Sequence, residues 1–466
     1  MQQRLQDNFV LNQLVASFEA QEEGLRTFFE DKELLQIIEF YEDEFEYEKA
    51  LEVAQIGLTQ YNFNSDFYIS KARVLALMEE YDGVIETIQE GLSIAPNEIE
   101  LKLFGIHAKI EMGKIEDAKI EIKKLLAEAS GDDRVDLLIC KAHIHEKEKD
   151  FEAMFNALKK ALIIDSNEIK ALEKIWIAVE LCKNYKESVL LHKYVIDRNP
   201  YNHQAWYNLG HAYACLGEYP ESIMSLEYSF LIEPSFEIGY KDCAEMCFQV
   251  GRFRQALSIH LDALKEFGAD MELLVSIGRC YLELNTPGEA KRYLAKATKI
   301  DPYDDEAHYY LGKSLFQTGA FKKAIACFAE AIKLENRREE YYADLAKAYH
   351  VTGDYTLANY YFNKATETGP EEMTYWFHHI LFLLDIDAID AAADVLEEAE
   401  AQTYGSEILY IKAAIAFLRK DRCDGVSFLT EAIEEDLSCL PSFYALYPNY
   451  IEDEEIKALI DYFVKG

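Results

Sequence analysis

The chain has few cationic side chains, no long apolar run and no familiar catalytic signature. Its 47 Lys and Arg face 85 Asp and Glu, a formal charge of -38. A field of that sign repels nucleic acid and anionic lipid on average, so neither is expected as a partner, although a basic strip inside a groove can depart from the mean. No apolar stretch approaches the roughly 18 to 20 residues that cross a bilayer, and membrane insertion is not expected. Met1 to Glu22 mixes Arg4, Asp7, Asn8 and Glu19 with apolar positions and lacks the pattern of a secretory leader. The expectation is a soluble, cytoplasmic protein. HExxH, GxxxxGK[ST] and GxSxG are all absent. The chain is therefore read as non-enzymatic, with no catalytic residue, no cofactor and no metal.

What is present is a period of 34 residues. Gly210, Gly278 and Gly312 share one phase, which Ala142, Ala244 and Ala346 also occupy. Ser222, Ala256, Ala290, Ala324 and Ala358 share another, and Pro200, Pro234, Pro302 and Pro370 a third. Within one period, Trp206, Leu209, Gly210 and Tyr213 form the apolar stripe of one helix. Gly217 breaks it, Ser222, Ile223, Leu226 and Phe230 form a second stripe, and Pro234 ends the unit. Two helices of three to four turns joined by a tight turn account for this pattern. A small residue at 210 lets the two helices cross closely. Tyr219, Phe253, Phe321 and Tyr355, near the start of the second helix, are expected to cover the turn.

The phase runs through most of the chain, so the 466 residues are expected to form one continuous array and not two or three globular domains. Residues 1–30 read as an N-terminal capping helical segment, with an amphipathic helix or pair over Arg4 to Phe29. Residues 31–436 read as about twelve tandem repeats, degenerate at both ends. The step near Gly131 is two residues long and reads as a lengthened loop. Residues 437–466 read as a link, irregular over Leu440 to Tyr450, followed by a capping helix from Asp453 to Val464.

The pattern resembles the tetratricopeptide repeat family, whose unit is also 34 residues with the signature Trp, Leu-Gly, Tyr, Ala, Phe, Ala, Pro. The matching residues are Trp206, Leu209, Gly210, Tyr213, Ser222, Leu226, Ser229 and Pro234, and the likeness returns at Leu311, Gly312, Gly319, Phe321, Ala324, Phe328 and Ala331. Leu345, Ala346, Tyr349, Gly353, Tyr355, Ala358, Phe362, Ala365 and Pro370 repeat it once more. The resemblance implies an all-α fold: a right-handed α-solenoid superhelix of helix-turn-helix units with terminal capping helices. Some proteins of the family hold a terminal carboxylate with Lys and Asn. Here Lys241, Lys313 and Asn208 match that clamp, while Glu245 and Val275 depart from it.

Nine cysteines without a close CxxC pair read as buried thiols. Cys243 and Cys247 stand four apart, a spacing that serves metal ligands, yet they fall on the core phases of Leu209 and Tyr213 and are read as packing. His378 and His379 are assigned to surface and core respectively. His107 and His143 share a face with His211 and are read as partner contacts.

Function is expected on the concave face, lined by first helices. One ladder there reads Arg73, His107, His143, Ile177, His211, Glu245, Arg279, Lys313, Lys347 and Leu381. Three consecutive cations, Arg279, Lys313 and Lys347, stand out in so acidic a chain. With Tyr207, His211, Lys241, Tyr309 and Phe316 they form the candidate peptide-binding groove for a protein or peptide partner, an acidic peptide foremost. Their other reading is pairing with Glu272, Glu306 and Glu340, seven residues earlier, or with the neighbouring repeat. A non-catalytic binding scaffold is the leading function. The alternative is a regulatory or sensor subunit that presents an enzyme partner or a small ligand.

Overall fold

The structure, a computed structural model, describes residues 2–19 and 28–465. Among them are 27 α-helices and two short 3-10 segments. The fold is an all-α repeat solenoid. The chain divides into two compact units, Met1–Gly239 and Tyr240–Gly466.

In the first unit, helices pair with the helix that follows: Ser65–Leu77 with Tyr81–Ile94, Ile99–Glu111 with Ile115–Leu126, and His203–Cys215 with Tyr219–Ile232. First helices of successive hairpins also touch one another, which builds a common face. Helix starts follow local chemistry: the Asn202 side chain accepts the Ala205 N–H at 2.9 Å, satisfying a donor with no partner inside the helix. At the crossing, a Cβ on Gly210 would lie 2.6 Å from Leu226 Cγ, so the small residue is a steric requirement. Helix Gln2–Glu19 precedes the hairpins, and the Tyr41 hydroxyl donates to Glu19 at 3.1 Å. The rest of the expected helical segment, 20–27, lies outside the described residues.

The two-residue excess near Gly131 is not a lengthened loop. Helix Gly131–Lys147 has 17 residues where Ile99–Glu111 has 13, and its first turn carries Asp132 and Asp133. Acidic side chains favour a helix N-terminus, so the helix starts early and absorbs the excess.

The second unit repeats the scheme with Met271–Glu283 and Pro287–Ile300, Asp305–Gln317 and Phe321–Leu334, and Glu339–Thr352 and Tyr355–Thr368. The tight approach recurs: a Cβ on Gly278 would lie 2.4 Å from Leu294, and on Gly312 2.6 Å from Phe328. Cys243 and Cys247 are fully buried, as their phase requires. His379 is buried, with a ring nitrogen 2.9 Å from Asn359 Oδ1. His378 is not a surface residue: it is half-buried, its Nδ1 is enclosed without a hydrogen-bond partner, and burial pushes its pKa down to about 4. Nor is Leu440 to Tyr450 irregular. Leu440–Leu446 is a helix with Phe443 fully buried, and Pro441 sits in the first turn, where a missing N–H costs nothing. Helix Glu454–Lys465 follows, its start fixed by Arg422 donating to Asp453 at 2.6 and 2.8 Å, with Ile456 and Ile460 buried.

The turn aromatics divide into two kinds. Phe253 and Phe321 are half-buried, their rings 5.1 Å from Phe248 and 5.3 Å from Phe316. Tyr219 and Tyr355 are 45% and 50% exposed and do not seal the turn, because a phenol keeps its polar tip in water. A further regularity belongs to the backbone. One residue in each hairpin turn adopts a left-handed conformation: Phe45, Glu79, Gly113, Lys149, Lys183, Gly217, Gly251, Asn285, Gly319, Gly353, Asp387 and Lys420. The spacing is 34 except between Gly113 and Lys149 and at the last step.

Candidate functional site

The first-helix face of the second unit carries a cavity of about 380 Å³, lined by Lys241, Asp242, Glu245, Glu272, Arg279 and Glu306 among others. It brings two of the expected site residues, Lys241 and Arg279, into one surface, but not as bare cations. Lys241 bonds to Glu272. The Arg279 guanidinium lies 3.8 Å from Glu245, the residue one repeat earlier in its own ladder, and over the rings of Phe248 and Tyr310 at 4.6 and 5.6 Å. Glu245, a departure from the clamp pattern, is thus the counter-charge to Arg279.

Lys347 pairs along its own helix with Asp344 at 3.1 Å. Among the described residues Lys313 makes no ion pair. Its ammonium lies over Tyr309 and Tyr310 at 5.5 and 5.8 Å from the ring centroids, an attraction to π-faces that leaves its hydrogen-bond donors unclaimed by carboxylate. Glu272, Glu306 and Glu340 are not the partners of the three cations seven residues on. Glu272 holds Lys241, and Arg338 takes Glu306 at 2.9 Å and Glu340 at 3.8 Å. Two helical turns put the in-helix carboxylate about 10 Å away, beyond a direct contact.

Tyr309 is buried beneath this strip. Its hydroxyl donates to Asp344 at 2.9 Å and its ring lies 4.4 Å from Tyr341, whose hydroxyl donates to Asp305 at 2.6 Å. Burial, then the Asp344 charge, pushes the Tyr309 phenol far above its ordinary range. Phe316 is half-buried at the end of Asp305–Gln317, its ring 5.3 Å from Phe321 of the next helix. Sequence reading missed Arg338, which also lies 3.7 Å from Asp305, and the two acids that hold the tyrosines. Arg338 immediately precedes the helix Glu339–Thr352, and its position there was the available signal.

The other expected residues lie in the first unit. Tyr207 and His211 have ring centroids 4.5 Å apart, with Phe236 5.1 Å from Tyr207 and Trp176 5.2 Å from His211, an aromatic surface. Asn208 is buried, donates to the Leu172 carbonyl at 2.8 Å and accepts from Gln204 at 3.2 Å, so it supports packing and does not match a carboxylate clamp. His107 and His143 are 5.4 Å apart by ring centroid, and His143 Nε2 is 3.2 Å from Glu111 Oε1. Burial holds both imidazoles below their ordinary range. Burial raises Glu111, but the hydrogen bond and charge of Lys147 outweigh it and leave that carboxyl below its usual value. His107 and Arg73 line a second cavity of about 550 Å³ with Leu103, Phe104 and Ile139, and Arg73 is held by Glu42 at 3.0 Å.

Residues 285–349 match the family described as tetratricopeptide repeat. That stretch is of the tetratricopeptide-repeat type. It is 30% identical over 127 residues to Hsp70-Hsp90 organizing protein 1 of Glycine max, covering 26% of this chain and 22% of that one. It is 24% identical over 358 residues to a TPR repeat-containing protein of Methanocaldococcus jannaschii, covering 72% and 56%. It is also 27% identical over 124 residues to BBSome complex member BBS4 of Xenopus tropicalis, covering 27% and 24%. These matches span from about a fifth to about half of the relatives' own length. Among solved structures, YrrB, described as a TPR protein with an unusual peptide-binding site, aligns at 17% identity and a TM-score of 0.34, over 40% of this chain and 95% of that one. A tetratricopeptide repeat protein from Parabacteroides merdae aligns at 14% identity and 0.43, over 52% and 98%.

Proposed function

We propose that this protein is a non-catalytic scaffold that binds a protein or peptide along the face formed by its first helices. Residues 31–436 then act as the run of repeats, with 1–30 and 437–466 closing its ends. The observation that carries the reading is Lys313, a cation on that face with aromatic neighbours and no carboxylate partner among the described residues. An acidic side chain from a bound peptide supplies what Lys313 lacks, and charge-assisted hydrogen bonds are the strong kind. Arg279, Lys241 and Lys347 already have acidic partners, so they contribute by exchanging one carboxylate for another, a weaker gain. Tyr207 and His211 offer an aromatic contact of their own in the first unit. Relatives named for organizing Hsp70 and Hsp90 and for membership of the BBSome support an assembly role. Nine free cysteines, three of them buried, suit a cytoplasmic, reducing location.

The test uses fluorescein-labelled dodecapeptide pools, one acidic, one neutral and one basic, titrated against the full chain by anisotropy. The acidic pool is expected to bind most tightly and to weaken as salt rises, because the contact is charged. Equal binding of all three pools, or none, contradicts the reading.

A further inference from the structure

The first unit carries, on its own first-helix face, a side-chain cluster that the proposed peptide contacts leave unused. His107 and Glu111 stand four residues apart on Ile99–Glu111, which places both on one side of the helix. His143 stands on Gly131–Lys147, 36 residues beyond His107, the period plus the two-residue excess. One ligand atom from each of the three lies within 4.8 Å of the others. We propose that His107, Glu111 and His143 form a binding site for a divalent transition-metal ion of the zinc class.

The donor set fits that class. Two imidazoles and one carboxylate suit a borderline ion, whereas calcium or magnesium wants six or more oxygens. Bonds of about 2.0 to 2.1 Å in a tetrahedron put neighbouring donors about 3.3 Å apart. His143 Nε2 and Glu111 Oε1 already stand at 3.2 Å, so binding needs only His107 to close in. The carboxylate is anchored from behind: Lys147 donates to Glu111 Oε2 at 2.8 Å and leaves Oε1 to the ion, the arrangement by which a second layer of residues orients a ligand. Three protein donors leave a fourth position for water or a ligand.

Charge is the objection to meet. Lys147 and Lys174 both face the cluster, and Lys174 depresses His143 electrostatically. Lys174 is engaged by Glu146 at 3.1 Å, and Lys147 is 43% exposed, with water into which to swing. Glu111 and Glu146 balance the two lysines, and the chain's charge of -38 draws cations from solution. His143 and Glu111 keep 17% and 19% of their side-chain surface exposed, which gives an ion a way in.

The full chain, reduced and stripped with EDTA, is titrated with zinc by calorimetry and with cobalt by visible absorption. One equivalent is expected to bind, with cobalt bands in the visible and no near-ultraviolet sulfur charge transfer. His107→Ala and His143→Ala are each expected to weaken binding about tenfold or more while circular dichroism is unchanged. Glu111→Gln, which keeps the side chain's size, should weaken it too should either alanine variant fold poorly. No binding, binding equal in wild type and both histidine variants, or sulfur charge transfer at the first equivalent overturns the site.

Discussion

The same ladder position does different work in the two units. In the second it holds Glu245, Arg279, Lys313 and Lys347, charges that mostly cancel along the ladder or along their own helix and leave Lys313 without a partner acid. In the first, beside Arg73 and Ile177, it holds three histidines, His107 and His143 gathered with Glu111, and His211 with Tyr207 and Trp176. A 34-residue repeat fixes where a side chain points, not what it meets. Neighbouring hairpins decide that, and two faces of unlike chemistry stand on one kind of packing.

If the faces are variable surfaces over a common core, a lesion beneath one should outweigh any lesion upon it. Phe328 is buried against the Gly312 backbone. Phe328→Ala should cost about 3 to 5 kcal/mol in urea unfolding. A loss below that of Arg279→Ala would break the comparison.

Acid should act next, on buried histidines in both units. Burial pushes His192 to about 4 in the first unit and His260, with help from Arg279, His378 and His379 to about 4 in the second. Each lies below the ordinary 6.5, so on lowering pH the unfolded chain takes up the proton first. Stability is full above about pH 6.5 and falls as pH drops towards 4, by about 1 to 3 kcal/mol per histidine. Burial lowers His107, His143 and His145 of the first unit in the same direction, so amide exchange at pH 7 and pH 5 should show both units loosening, most at the helices that carry His192, His260, His378 and His379. No added loosening at those helices contradicts the assignment.

On the face itself the effects are small. Arg279→Ala removes a partly exposed ion pair and a stacked cation, a loss of about 1 kcal/mol. Lys347→Ala removes only a partly exposed in-helix pair, with no stacked cation, a loss below about 0.5 kcal/mol. Melting of both variants checks the order.

The fold was legible because its tightest contacts demand small residues: Gly210, Gly278 and Gly312 lie where any Cβ would strike Leu226, Leu294 or Phe328. Turns were half-legible. Gly217 and Gly319 announce the left-handed residue, but Lys183 and Asn285 adopt the same conformation without a glycine to mark it. The site was legible as a face and not as a set of partners. That Arg279 meets Glu245 depends on the offset between neighbouring first helices, which one sequence does not print. Glu111 stood in view four residues after His107, whereas the approach of His143 depends on the early start of Gly131–Lys147.

The most direct test of the account compares Lys313→Glu with Lys347→Glu against the acidic dodecapeptide pool at low and moderate salt. Lys313→Glu is expected to weaken binding about tenfold or more, with the loss shrinking as salt rises, and Lys347→Glu by less, since Asp344 already offsets that charge. Equal affinities for wild type and Lys313→Glu, or a larger loss at Lys347, would contradict it.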